Sequence, residues 1–438
     1  MLELLLETLS SFEGVEYLIR ETKTRRVENY NIKQQSEMER EVAVTRLSLT
    51  LYVVFSEKDE TGGEKKYRGS YNTEIHPGTG ADDLRDIISQ GVYAAGFVKN
   101  EYYPLVEPSL VPPTKTKEVS IKQALAGLQA AFHAADNHNQ GHLSYSEFVI
   151  TQNDVRIINS SGVDVGYTTY NAFIETAVHW PGADGGEIEI GESYRFSIDA
   201  ASTEMLKNRI AQLFNVAAQK AASKSTPQVE DINILLSGEC LATFFSYYKS
   251  CANARMIYQQ LSTFKEGEYV QGGDSADRIT MTLDPLMQGS SGSRPYDENG
   301  LPLTSHTIIQ DGKLIKYCGD TRFASYLGIT PTGNIPNMRI TGGTVTEAGL
   351  RKEPYLELVS FSDFQANPVT GDFGSEIRLG FYFDGKTTIP VTGGSISGNI
   401  SKVQDSLRMS IEQKQYDSYQ GPATICLRGA SISGIIGG

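Results

Sequence analysis

The stretch Ile232-Asn233-Ile234-Leu235-Leu236-Ser237-Gly238-Glu239-Cys240-Leu241-Ala242-Thr243-Phe244-Phe245-Ser246-Tyr247-Tyr248-Lys249-Ser250-Cys251 decides the fold class. Residues 232–236 read as a short buried strand. Leu241, Phe244, Phe245, Tyr248 and Cys251 then fall at i, i+3, i+4, i+7 and i+10, the core-facing stripe of an amphipathic helix over about 239–254. A strict α/β chain would continue by alternating strand and helix. This one turns Gly- and Thr-rich, with short strands and turns to its end, so helices and strands come in blocks and the class is α+β.

Working back towards residue 1, the same block character holds. A short amphipathic helix over 2–9 precedes a β-rich stretch at 15–78, where Leu47, Leu49, Leu51, Val53 and Phe55 alternate as in a half-buried strand. Asp59-Glu60-Thr61-Gly62-Gly63 reads as a hairpin turn. A helix is expected over 82–97, with Asp82 as N-cap and Leu84, Ile87, Ile88, Val92 and Ala95 as its apolar face. Pro104, Pro108, Pro112 and Pro113 mark a linker. Ser120-Ile121-Lys122-Gln123 is a capping-box pattern opening a helix striped by Ile121, Leu125, Leu128 and Phe132. Strand-like runs fill 145–180 around an Asn159-Ser160-Ser161-Gly162 turn, a helix spans 203–222, and 223–227 is a second linker. The expected units are 1–104, 118–222 and a β-rich C-terminal domain, 228–438. The first two are each sheet plus helix, which suggests a remote duplication.

The 438 residues carry 53 acidic side chains against 39 Lys plus Arg, a formal charge of −14. Proteins that neutralise phosphates carry the opposite balance, so neither nucleic acid nor an anionic membrane is an expected partner. No run of about 18 apolar residues and no secretory leader pattern occurs, and the cytoplasm is the expected compartment. Cys240, Cys251, Cys318 and Cys426 form no CxxC pair and read as reduced thiols. Cys240 and Cys251 in particular read as buried and inert.

Three constellations resemble chemistry. The histidines (76, 133, 138, 142, 179 and 306) form no HExxH or HExxxH string, and His138 and His142 flank a loop-like Asn139-Gln140-Gly141. Residues 136–147 imitate a calcium loop through Asp136, Gly141, Leu143 and Glu147, but positions three and five hold His138 and Gln140, and a strand-like Phe148-Val149-Ile150-Thr151 follows. Ser246-Tyr247-Tyr248-Lys249 is an SxxK string that puts hydroxyl and amine on one helical face. Its would-be companions, Lys386-Thr387-Thr388 and Ser397-Gly398-Asn399, stand in the wrong order, and Lys249 reads more plainly as a solvated helix residue. The Gly272-Gly273, Gly342-Gly343 and Gly393-Gly394 pairs are turns and bulges rather than phosphate loops.

An ordered series of segments carries a resemblance. It comprises 232–264, ending Gln260-Leu261-Ser262-Thr263-Phe264; Asp284-Pro285 with Gly292-Ser293-Arg294-Pro295-Tyr296-Asp297-Glu298-Asn299-Gly300; Asp311-Gly312-Lys313-Leu314 through Asp320-Thr321-Arg322 to Thr332-Gly333-Asn334; and Pro390-Val391 through Gly398-Asn399, with a last strand near Ile425. Over roughly 228–436, and more weakly before it, the chain resembles the TldD/PmbA family, long labelled "modulator of DNA gyrase". The resemblance implies a cytosolic heteromeric zinc metallopeptidase acting on unfolded peptides. One branch carries HExxxH on the helix after the first strand of the last domain, with a later cysteine as a further ligand. The TldE/PmbA branch lacks them and pairs with the first.

Placing that helix here puts Phe245 and Ser250 at the histidine positions and Ser246 at the glutamate. Cys426 lies in the closing strand, outside the family's Gly-Cys-Gly loop, and takes no ligand role. The resemblance therefore implies a non-catalytic subunit without zinc of its own and a zinc-bearing HExxxH partner, with a homodimer left open for the chain in isolation. Gly-rich strand edges are expected to add strands to a peptide. Arg294 and Arg322 are candidate anchors for a peptide carboxylate, with a structural salt bridge as the plainer role. A metal-free homodimeric peptide-binding protein, and a serine hydrolase using Ser246 and Lys249, are the alternatives.

Overall fold

The computed structural model describes residues 1–58, 62–109, 118–136, 140–182, 185–272 and 277–434. Helix α1 (Leu2–Ser10) leads into strands β1 (Val15–Ile32), β2 (Gln35–Lys58) and β3 (Glu64–Ile75), then α2 (Ala81–Ala95) and a short β4 (Asn100–Glu101). A second round follows: α3 (Ile121–His133), β5 (His142–Asn159), β6 (Asp164–Pro181), β7 (Glu187–Ser197) and α4 (Thr203–Ala221). The two rounds share one seven-stranded sheet, ordered β4-β3-β2-β1-β5-β6-β7. β1 and β5 pair antiparallel from Leu18–Asn159 to Ile32–Tyr145, centred on Arg25 and Gln152. The side chains of that central pair are joined as well, Arg25 Nη2 donating to Gln152 Oε1 at 2.7 Å. The helix-three-strands-helix order repeats about this seam, as a duplication requires.

Burial decides which face the helices cover. Ile19 and Val27 of β1 are both buried and lie an even number of residues apart, hence on one face. Ile19 joins Leu5, Leu9, Leu49, Leu51, Leu84 and Ile88 under α1 and α2. Val27 joins Phe132, Phe148, Ile174, Ile210 and Phe214 under α3 and α4. All four helices therefore lie on one side. Gly91 lets α2 approach the sheet: a Cβ there would lie 2.6 Å from Leu51 Cδ1.

Several local expectations change. α2 is preceded by Gly80 without a side-chain cap, and Asp82 sits in its first turn, where its charge favours the helix N-terminus. Ser120 does cap α3, accepting from the Gln123 amide at 3.4 Å, and Ser202 caps α4 from Met205. The Asn159 turn is tied by its own Oδ1, which accepts from the Ser161 and Val163 amides. Of the calcium look-alike, His142 to Glu147 are strand β5. His138, parts of the 59–63 turn, Pro112, Pro113 and Gly273 lie outside the described residues.

The C-terminal part holds a six-stranded and a ten-stranded sheet. β8 (Lys224–Ser225) lies at an edge of the larger one. β9 (Asn233–Ser237) lies inside it, parallel to Tyr355–Phe361 and antiparallel to Thr424–Leu427. Its Leu235 and Leu236 are fully buried. The helix expected over 239–254 is α5 (Cys240–Cys251), and a short α6 (Ala254–Tyr258) follows it, started by Asn253, whose side chain accepts from the Arg255 amide. A further helix, α7 (Thr321–Leu327), is capped by Asp320 and ends at the left-handed Gly328.

Candidate functional site

α5 runs from the inner strand β9 into the largest core, and the predicted stripe is the buried one: Leu241, Phe244, Phe245 and Tyr248 are fully excluded from solvent. Phe245 stacks on Tyr419 with ring centroids 5.9 Å apart. The residue that the resemblance aligns with the first histidine is thus an apolar ring packed in the core. Ser246, at the glutamate position, donates its hydroxyl to the Thr243 carbonyl at 2.7 Å. An aromatic ring and two hydroxyls, the second from Ser250, are not a zinc ligand set, so these positions do not fit the metal of the HExxxH branch. Among the described residues no three His, Cys, Asp or Glu side chains are grouped to hold a metal ion.

Ser246 and Lys249 share a helical face but do not form a nucleophile and base. The Lys249 amine donates to the carbonyls of Ile335 at 2.6 Å and Pro336 at 2.7 Å. It is not the solvated residue the sequence suggests: burial pushes its ammonium down to about 8, with the Cys318 thiol acting upward and Arg294 downward. Its hydrogens are held by carbonyls and Ser246 bonds elsewhere, so the arrangement does not activate Ser246. All four cysteines are buried. Burial raises every one of the thiols, Cys318 and Cys426 to about 11, which keeps them protonated and inert near neutral pH.

Lys249 and Cys318 line a cleft of about 170 Å³ together with Arg294, Asn334 and Ile335. Arg294 Nη2 pairs with Glu298 at 2.6 Å and donates to the Asn334 carbonyl at 3.1 Å, while its buried Nε has no partner. Asp297, fully buried, fixes the turn carrying this pair by accepting from the Asn299 and Leu301 amides. Burial pushes the Asp297 carboxyl up to about 6. Gly333 closes the cleft with a positive φ of 73°, where a side chain would overlap Leu303.

Arg322 has the structural role. It donates to Asn100 Oδ1 at 2.6 Å and to the Tyr326 hydroxyl at 3.1 Å, and it lies over the rings of Tyr103, Phe323 and Tyr326. Tyr326 in turn donates to the Glu101 carbonyl at 2.8 Å. This cluster ties β4 to α7, and Arg322 is not brought together with Arg294 in one cleft.

Sequence reading missed a cavity of about 440 Å³ between the second helix-sheet round and the C-terminal part, lined by Tyr194, Met205, Arg209, Arg339, Gln415 and Asp417 among others. Beside it Tyr194 donates to Glu192 at 2.7 Å, and burial raises both Glu192 and Glu239, the residue preceding α5. Its members come from six separate elements and the loops between them, so no local pattern announces it.

With this geometry in place, comparison gives the relationship. Residues 229–434 match the family model described as the PmbA/TldA metallopeptidase C-terminal domain. A curated metalloprotease PmbA homologue of Buchnera aphidicola is 24% identical over 289 residues, 60% of this chain and 63% of that one. The chain spans about six tenths of the length of the first curated relatives it matches. Among solved structures, a Thermotoga maritima protein named as a candidate modulator of a DNA gyrase superposes with a TM-score of 0.78 at 16% identity, over 99% of this chain and 100% of that one. TldE of Thermococcus kodakarensis superposes with 0.74 at 15%, over 99% of each. At those identities the structural likeness speaks for the fold.

Proposed function

On the premise that this chain is a member of the PmbA/TldD metallopeptidase family, we propose that it is a non-catalytic, TldE/PmbA-like subunit of a zinc peptidase that acts on unfolded peptides in the cytoplasm. One observation supports this reading: the residues that the resemblance aligns with the ligands and base of the HExxxH branch are a phenylalanine packed in the core and two serines. The Phe245 ring has no donor atom for a metal, and it fills the core against Tyr419 instead. The chain's role is then to form part of the wall around an extended substrate, while a partner bearing HExxxH supplies zinc and chemistry.

The test is purification of this chain from its own host, with zinc and co-eluting chains quantified. The expected result is a stoichiometric HExxxH-bearing partner with one zinc per pair, and neither zinc nor peptidase activity on the chain alone. Full-rate peptidase activity from the isolated chain, with stoichiometric zinc, would overturn the reading. Elution of this chain alone without metal would favour a homodimeric binding protein.

A further inference from the structure

The face of the seven-stranded sheet away from its helices is not a bare surface. Arg20, Thr22 and Thr24 alternate along β1 opposite the buried Ile19. Together with Arg46, Ser48, Glu74, Asn153 and Tyr167 from neighbouring strands they floor a polar cavity of about 470 Å³. Its other wall is the loop 291–294, ending in Arg294. That loop is fixed: Asn171 donates to the Ser291 carbonyl at 3.2 Å, and Ser291 bonds Asp417 through both its amide and its hydroxyl. The volume falls within the ~300–1,000 Å³ of small-ligand sites.

Charge points to the ligand. In a chain of net charge −14, three guanidinium groups face this space against one carboxylate, Glu74. Among the described residues neither Arg20 nor Arg46 has an ion pair, and Glu74 pairs with neither of them. The Nε atoms of both Arg20 and Arg294 are buried without a hydrogen-bond partner. Burial raises the Tyr167 phenol, and the charges of Arg20 and Arg294, which line the same cavity, both act on it in the opposite sense. Buried donors without partners are the exception in folded proteins, and a planar fork matches a carboxylate in two bonds.

We propose that Arg20, Arg46 and Arg294 form a carboxylate site that holds the C-terminal end of an extended peptide against the helix-free face of the sheet. The proposal rests on the peptide-binding part of the reading above, and on neither the partner nor the missing zinc ligands. Arg294 reaches both this cavity and the cleft beside Lys249, so a chain end held here directs the preceding residues towards α5.

The test measures fluorescence anisotropy of an N-terminally labelled tetra-alanine with a free C-terminus, its C-terminal amide, and an amidated version ending in aspartate, each on the full-length chain. The free acid is expected to bind at least about tenfold more tightly than the amide, and less tightly as salt rises. Arg46→Gln, at an exposed position where folding is not at stake, and Arg20→Gln should each remove about tenfold of the free acid's affinity and leave the amide unchanged. Equal binding of acid and amide, or variants that bind the acid as the parent does, would overturn the site while leaving peptide binding standing. Tight binding of the aspartate amide would assign the cavity to side-chain carboxylates and overturn the chain-end assignment. No binding by any peptide would overturn both the site and the peptide-binding part of the reading. The co-elution and zinc measurements would stand apart from that outcome.

Discussion

At the scale of single residues, Lys249 shows how position outweighs type. An SxxK string suggests an activated serine, but the amine is tied to two backbone carbonyls in a cleft beside Cys318. Its folded value of about 8 lies below the ~10.4 of an unfolded lysine. Below pH 8 both states hold the proton and burial of the charge opposes folding. Between 8 and ~10.4 the unfolded chain holds a proton that the folded chain has released, so stability rises with pH and the contribution is complete above ~10.4. A neutral amine still has two hydrogens for the two carbonyls, so the bonds survive deprotonation. The expected increment is roughly 3 kcal/mol across that window. Denaturant unfolding of the parent and of Lys249→Met at pH 7.5 and pH 10 checks it, because tyrosine titration is common to both. A difference between the two proteins that does not change with pH would refute the assignment.

At the scale of elements, the contact between β4 and α7 is one of the places where the N-terminal sheet is fastened to the C-terminal part. Arg322, Tyr326 and Tyr258 converge there on two residues, Asn100 and Glu101, and Tyr103 packs edge-on against Tyr326. A carboxylate anchor would keep its guanidinium open to a ligand. This one is satisfied by an amide oxygen, a phenol and three ring faces, each a charge-assisted or cation–π contact. Arg322→Ala should therefore lower stability by about 1–3 kcal/mol and speed hydrogen exchange at 100–101 and 321–327. It should leave the acid-over-amide preference untouched. Loss of that preference with unchanged stability would return Arg322 to the binding machinery.

At the scale of the whole molecule, the seam between β1 and β5 sets how the N-terminal half behaves. Fifteen consecutive pairs join the two rounds, and no break in the sheet separates them. A break at the 104–118 linker would give two independent units. A shared sheet should give one, because opening either strand exposes the other's edge and both helix-covered cores. Native-state hydrogen exchange should find the central amides of β1 and β5 protected by the same free energy, with one denaturant dependence. A markedly lower value on either side would show two units that merely touch.

The sequence by itself determined most of the elements. Alternation on β2, the stripe on α5 and the Ser caps are local patterns set by the pleat and by the helical turn, and the structure places them where those periods put them. Phe245, Ser246 and Ser250 could be read as unfit for zinc because ligand chemistry belongs to residue type. Tertiary structure alone decided the pairing of β1 with β5, the amine of Lys249 on distant carbonyls, the use of Arg322 as a fastening, and the gathering of Arg20, Arg46 and Arg294. Apart from Arg20 and Arg46, which lie on neighbouring strands, those facts join residues about 90 to 270 positions apart, and no local period carries information over such separations. Arg20, Thr22 and Thr24 did show a polar face on β1, but a polar face reads as solvent until a second surface closes over it. Here that surface is the loop 291–294, and only the folded chain brings it there.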